Sequence, residues 1–263
     1  MDMGLAGKSV LVCASSRGLG FAIARRFAAE GARVAMVSRD EQRIAQAAAD
    51  IRRETGNKDV WPFAADLTDP RQTQGMLDAV LAKTGGVDVL VNNVGGPVPG
   101  RFDDIADAAW YQGFDQVIMS AVRCIRGVLP HMRRQRWGRI VNVASSSIRQ
   151  PVDDLILSNT LRAALHGLAK SLAIELGPDN ILVNTLGPGR IRTQRVEALD
   201  ARRAQLSGRD VREVEAEMAR QIPLGRYGTP DEFAALAVFL GSAANGYITG
   251  QAILVDGGMV RAL

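Results

Sequence analysis

The chain has 263 residues, 47% of them hydrophobic and 23% charged, a balance that excludes wholesale disorder, a collagen-like repeat and a disulfide scaffold. The formal net charge is +4, and of the 32 basic residues 28 are arginine, the only lysines being Lys8, Lys58, Lys83 and Lys170. These arginines are dispersed, without the aromatic-interleaved basic stretch of a nucleic-acid interface, so no nucleic-acid partner is expected.

In chain order, short Val/Ile/Leu-rich runs fall at 9–14, 33–38, 60–65, 87–91, 139–144, 181–186 and 252–255. Their continuous apolar character is that of strands buried on both faces. Amphipathic helical stretches separate them at 19–30, 41–55, 70–84, 107–136, 154–176 and 230–242. This alternation predicts an α/β fold: a doubly wound parallel sheet of about seven strands with helices on both faces. No linker, repeat or low-complexity segment interrupts residues 1–263, which read as one domain. Residues 1–5 carry neither a basic n-region nor a long apolar run, and no apolar stretch approaches the roughly 18–20 residues of a membrane helix. The expectation is a cytoplasmic protein without membrane contact. Cys13 and Cys124 fit no disulfide or metal pattern and read as small buried hydrophobes. With His131 and His166 the only histidines, no metal centre is expected.

Residues 190–222 depart from the alternation, with eight arginines against six acidic residues. The segment leaves the carboxyl end of the sixth strand, where ligands bind in such sheets. An insertion there reads as a lid or substrate pocket, or as a solvated helix pair. Its opening arginines, Arg190, Arg192 and Arg195, have no acid among them and hint at an anionic substrate group, such as a carboxylate or carrier phosphate.

The first strand runs into Cys13-Ala14-Ser15-Ser16-Arg17-Gly18-Leu19-Gly20. Small residues let backbone approach a pyrophosphate, and a helix N-terminus supplies N–H groups and partial positive charge. Further along stand Asp66-Leu67, Asn92-Asn93-Val94-Gly95, Pro188-Gly189 with Thr193, and Gly225-Arg226-Tyr227-Gly228-Thr229-Pro230 through to Asp256-Gly257-Gly258. Over almost its whole length the sequence resembles the short-chain dehydrogenase/reductase family, with the flavour of 3-oxoacyl-carrier-protein reductases. The loop is similar to that family's Thr-Gly-x-x-x-Gly-x-Gly. The resemblance implies a Rossmann-like fold, a nicotinamide cofactor, a small-molecule substrate and a homo-oligomer, tetramer or dimer. It implies cofactor contacts at Ala14, Ser16, Arg17, Leu19, Arg39, Asp66, Leu67, Asn93, Arg162 and Ile191.

Ala14 stands where that loop has its first glycine. A positive φ at this position would make the Cβ cost about 1–2 kcal/mol; a negative φ would make it nearly free. The second strand ends Val37-Ser38-Arg39 without the acid that would hold the ribose 2′-hydroxyl of NAD. Arg39 and Arg17 suit a 2′-phosphate, so NADP(H) is favoured over NAD(H).

The family's centre is a Ser, then thirteen residues later Tyr-x-x-x-Lys, with an Asn in an earlier helix. Here Ser145 is kept, but the Tyr and Lys positions hold Ser158 and Arg162, and anchoring on Trp110 puts Val117 at the Asn position. A phenol with pKa near 10 can protonate a developing alkoxide, and serine is a far weaker acid. Arginine donates hydrogen bonds but relays protons poorly. Spacing i, i+4 puts Ser158 and Arg162 on one helix face. Asp153 and Asp154 read as N-caps of that helix rather than acids. His166 reads as a packed histidine and His131 as a surface one; Tyr111 and Tyr227 are weak candidates. Three functions stay open: an oxidoreductase with Ser145, Ser158 and Arg162 as an altered centre, a non-redox isomerase or lyase, and an inactive NADP-binding regulatory subunit.

Overall fold

The computed structural model describes residues 2–262. Seven strands form one sheet: β1 (Ser9–Val12), β2 (Arg33–Ser38), β3 (Val60–Ala64), β4 (Val89–Asn92), β5 (Gly138–Val143), β6 (Ile181–Pro188) and β7 (Ala252–Val255). Every neighbouring pair is parallel, in the order β3-β2-β1-β4-β5-β6-β7. The order reverses between β1 and β4, and a crevice opens there outside their carboxyl ends.

Strand alternation builds two cores. Val10, Val12, Val34, Met36, Val89, Val91 and Val141 face α1 (Gly18–Ala29), α2 (Glu41–Thr55) and α9 (Pro230–Leu240), which contribute Ile23, Phe27, Ile44, Phe233 and Val238. Leu11, Ala35, Val37, Leu90, Ile140 and Val183 face the other way, against Leu77, Val128 and Ala169 of α3 (Pro70–Thr84), α5 (Ser120–Gln135) and α6 (Ile156–Leu176). Each fully buried large side chain contributes about 1.5–3 kcal/mol. Both faces are thus covered, and ligands are left the strand ends. Cys13 and Cys124 are buried thiols, Sγ to Sγ 4.0 Å.

The stretch expected as one helix over 107–136 is three pieces. α4 (Asp107–Phe114) passes through a π turn (Asp115–Met119) into α5. Hydrophobic periodicity runs through unbroken because the extra residue widens one turn without exposing the apolar face: Val117 and Ile118 stay buried.

The charged segment after β6 folds as two helices, α7 (Gln194–Ser207) and α8 (Val211–Arg220). They share a small core of Ala204, Val214, Met218, Ile222 and Tyr227. At its centre lies a polar knot. Asp200, 1% exposed, accepts from Arg190 Nη1 at 2.5 Å and from the Tyr227 hydroxyl at 2.8 Å. The guanidinium carbons of Arg190 and Arg192 stand 5.5 and 5.3 Å from the Tyr227 ring centre. Burial and the bond to Asp200 push the Tyr227 phenol up to about 12, so this tyrosine stays protonated and structural.

Asp200→Ala leaves the half-buried Arg190 guanidinium and the buried Tyr227 hydroxyl without their acceptor and is expected to destabilise the fold by about 3–5 kcal/mol. Tyr227→Phe removes one hydrogen bond to the same carboxylate, about 1.5–3 kcal/mol. Chemical denaturation measures both, and an Asp200→Ala effect no larger than that of Tyr227→Phe would refute the buried ion pair.

Candidate active site

The twelve residues singled out from sequence (Ala14, Ser16, Arg17, Leu19, Arg39, Asp66, Leu67, Asn93, Ser145, Ser158, Arg162 and Ile191) all line one cleft at the carboxyl ends of the strands. The loop after β1 forms its floor. Ala14 has φ 46, so its Cβ does carry a left-handed cost, about 1–2 kcal/mol. Three contacts offset it: Asn93 Nδ2 donates to the carbonyls of Cys13 and Ala14, 3.3 Å each, and the Ser15 hydroxyl accepts from the Val37 amide at 3.1 Å. A Cβ on Gly20 would stand 2.3 Å from the Ala14 carbonyl, so only glycine lets α1 start so close to the loop. Arg17 occupies the N-cap of α1 with no side-chain cap and no acid in the first turn. α2, α3, α7, α8 and α9 each begin on a side chain that accepts a backbone N–H. The first amides of α1 are left for an anion. This glycine-lined N-terminus and its donor set fit the pyrophosphate of a dinucleotide.

The two arginines expected at a 2′-phosphate differ. Arg39 is 78% exposed at the end of β2, with only a loose 3.9 Å approach to Asp66. Arg17 reaches across the cleft to Gln194 Oε1 at the start of α7, 2.8 Å. Arg39 is therefore the readier of the two for a ligand.

Ser145 opens a short turn after β5, and its Oγ accepts from the Ser147 amide at 3.1 Å, leaving its hydroxyl hydrogen to donate. A Cβ on Gly187 would come 2.8 Å from the Ser145 carbonyl, so glycine sets how near β6 approaches. Ser158 is half-buried in the first turn of α6. One turn on, Arg162 is 5% exposed. Its Nη1 donates to the Val143 carbonyl at 2.7 Å and Nη2 to that of Val94 at 3.2 Å. No carboxylate among the described residues pairs with it. Burial and then the charge of Arg195 pull its guanidinium down to about 10. It stays cationic at neutral pH, and two of its five N–H groups are spent on those carbonyls. A cation so placed calls for a negative oxygen in the cleft.

Three expectations are corrected. Asp153 and Asp154 do not cap α6: its N-cap is Leu155, without a side-chain bond. Asp154 sits at φ 59 and pairs with Arg101 Nε at 2.7 Å. His131 is half-buried and meets Asp88 Oδ1 at 3.2 Å. Arg190 and Arg192 each have an acid, Asp200 and, more loosely, Glu215 at 3.9 Å; both acids are distant in sequence. His166 turns to the Thr185 hydroxyl of β6, 3.4 Å, and burial with the charges of Arg149 and Lys170 lowers its pKa. The sequence reading passed over Gly96 and Arg202, which also line the cleft. The seven-residue step from Arg195 to Arg202, two helical turns, was the available signal.

Residues 13–260 match a family model described as Enoyl-(Acyl carrier protein) reductase. The chain is 30% identical to the NADPH-dependent reductase BacG of Bacillus subtilis, over 97% of this chain and 99% of the relative. Its fold is similar to L-sorbose reductase from Gluconobacter frateurii complexed with NADPH and L-sorbose: TM-score 0.95, 35% identity, all of both chains. It is also similar to an NADPH-bound short-chain oxidoreductase from Pseudomonas aeruginosa PAO1 described as containing an atypical catalytic center, with TM-score 0.89, 28% identity, and 98% and 99% coverage. Among the described residues no helix is long and apolar enough to cross a membrane.

Ala14→Gly is expected to stabilise the protein by about 0.5–1 kcal/mol, the Cβ relief less the entropy of an added glycine. Gly20→Ala is expected to abolish nucleotide binding. Thermal unfolding with and without NADPH reads both, and a melting temperature lowered by Ala14→Gly would contradict the strain.

Proposed function

The chain belongs to the short-chain dehydrogenase/reductase family, and from that premise we propose that it is an NADP(H)-dependent oxidoreductase interconverting a carbonyl and an alcohol through Ser145, Ser158 and Arg162. The observation that carries the reading is Arg162, a buried cation without a carboxylate partner among the described residues, lining the cleft that Ala14, Ser16, Arg17 and Arg39 also line. The NADPH-dependent relatives support the cofactor, as does the exposed Arg39 at the end of β2. The P. aeruginosa neighbour supports an altered centre on this fold.

Arg17, Arg39 and the first amides of α1 would hold the phosphates, with Asp66, Leu67, Asn93 and Ile191 along the rest of the dinucleotide. When bound, the nicotinamide supplies or accepts hydride at the substrate carbon. As a C–H bond forms there, the carbonyl electron pair moves onto oxygen. That oxygen is where this chain acts. The free N–H groups of Arg162 and the Ser145 hydroxyl donate to it as its charge grows, a preorganised stabilisation. The balancing proton comes from water by way of the Ser158 hydroxyl, since no phenol stands one turn before the cation. α7 and α8 act as a lid over this end of the cleft.

NADPH oxidation with a panel of ketones, followed by loss of nicotinamide absorbance, tests the reading. Arg162→Met is expected to lower kcat by about 10²–10³-fold, with Arg162→Lys recovering part of it. Activity should run flat through neutral pH and fall as the pH rises through about 10, where Arg162 loses its proton. Arg39→Ala should weaken NADPH and leave NADH unaffected. Silence across the panel would overturn the reading, and turnover without absorbance change would mark an isomerase or lyase instead.

A further inference from the structure

Three guanidinium groups line the cleft. Arg162 is buried. Arg195, on the first turn of α7, is held by the same loop as Arg162, at Pro97 and Val94, and its charge acts on Arg162. Arg202, two turns further along the same helix, acts in the same way on Arg195. None of the three has a carboxylate partner among the described residues. Three nearby arginines do: Arg190 has Asp200, Arg192 has Glu215, and Arg209 has Glu213 and Glu217, whereas Arg203 turns away to the Met218 sulfur. Several acids of the same cleft are engaged elsewhere, Asp154 with Arg101 and Asp115 with Arg123.

Arg195 is also held in place. Its guanidinium lies flat against Gly96, where a Cβ would come within 2.9 Å of Nη2, and Nη2 donates to the Pro97 carbonyl at 3.3 Å. The loop that carries Gly96 carries Val94, whose carbonyl holds Arg162. One loop therefore fixes the spacing between the buried cation and the accessible one. Like charges held together repel, and an anion between them relieves the repulsion. Arginine's planar fork suits the paired oxygens of a carboxylate or phosphate.

We propose that Arg195, with Arg202, is the specificity-determining site for an anionic oxygen group on the substrate, a carboxylate or a phosphate, carried beside the carbonyl that Arg162 faces. The proposal rests on the reading of this cleft as a carbonyl site.

Isothermal titration of the protein, with and without saturating NADP+, tests it independently of turnover. The probes are 2-oxobutyrate, acetoacetate and levulinate against their methyl esters, and dihydroxyacetone phosphate against dihydroxyacetone. An acid or the phosphate is expected to bind at least about tenfold more tightly than its neutral partner; which of the two does so identifies the group. Arg195→Met should cost about 10–100-fold of that binding, Arg195→Lys less, and Arg202→Met a smaller part. NADP+ affinity should stay unchanged in all three. Neutral probes binding as well as anionic ones, no anionic probe binding at all, or Arg195→Met weakening NADP+ and not the anion would each overturn the proposal. Anion binding without NADPH oxidation would instead refute the reductase reading and leave the anion site standing. NADPH oxidation with neutral ketones that is indifferent to Arg195→Met would do the reverse.

Discussion

A buried guanidinium without a carboxylate partner among the described residues lines the cleft, and the site is arranged around what that cation needs. Taking such a group out of water costs several kcal/mol. Two strand-end carbonyls offset part of this, Val143 at the end of β5 and Val94 just beyond β4. The pairing has a geometric consequence. β4 and β5 are neighbours in the sheet, and one planar fork spans both of their exits. Arg162 thus sets the separation between the turn bearing Ser145 and the loop bearing Gly96. A lysine ammonium is a point charge on a flexible stem and would hold two carbonyls less rigidly. Arginine at this position therefore gives a fixed frame and fixed donors.

The other half of the cleft carries strain of a different kind. Ala14 holds a left-handed backbone that glycine would hold freely, and its carbonyl is gripped by Asn93. Asn93 follows β4, as Val94 does. The loops after β1 and β4 are therefore fastened to each other on one side and to Arg162 on the other. The π turn fits the same picture. It keeps Val117 buried in a small cavity lined also by Arg162, Asn92 and Ser120. The family resemblance sets an asparagine at that position. The widened turn carries the apolar Val117 where the resemblance implies a polar side chain.

The strands and the sheet's two-sided burial were legible because unbroken Val/Ile/Leu runs admit few other environments. The cleft was legible too, since glycine spacing and the end of β2 are local features. What sequence could not supply was pairing. Arg190 and Arg192 look alike as a run, and only the fold brings Asp200 and Glu215 to them while leaving Arg195 without an acid. Asp153 and Asp154 carry an N-cap pattern, yet the chain turns at Asp154 and spends that carboxylate on Arg101, 53 residues away in sequence. The π turn escaped notice for a simpler reason: one added residue in a helix shifts the hydrophobic stripe without breaking it.

The arginine excess of the whole chain takes its meaning from α7. That helix is fastened at points of unequal strength. At the rear, Asp200 is buried and bound by Arg190 and Tyr227; pairs of that kind are costly to break, about 3–5 kcal/mol. At the front, Gln194 meets Arg17 and Arg195 meets the Pro97 carbonyl, one hydrogen bond each, worth about 0.5–1.5 kcal/mol apiece. Arg17 belongs to the loop after β1, so α7 joins that loop at Gln194 and the loop after β4 at Arg195. The buried knot therefore holds α7 more firmly than its front contacts do.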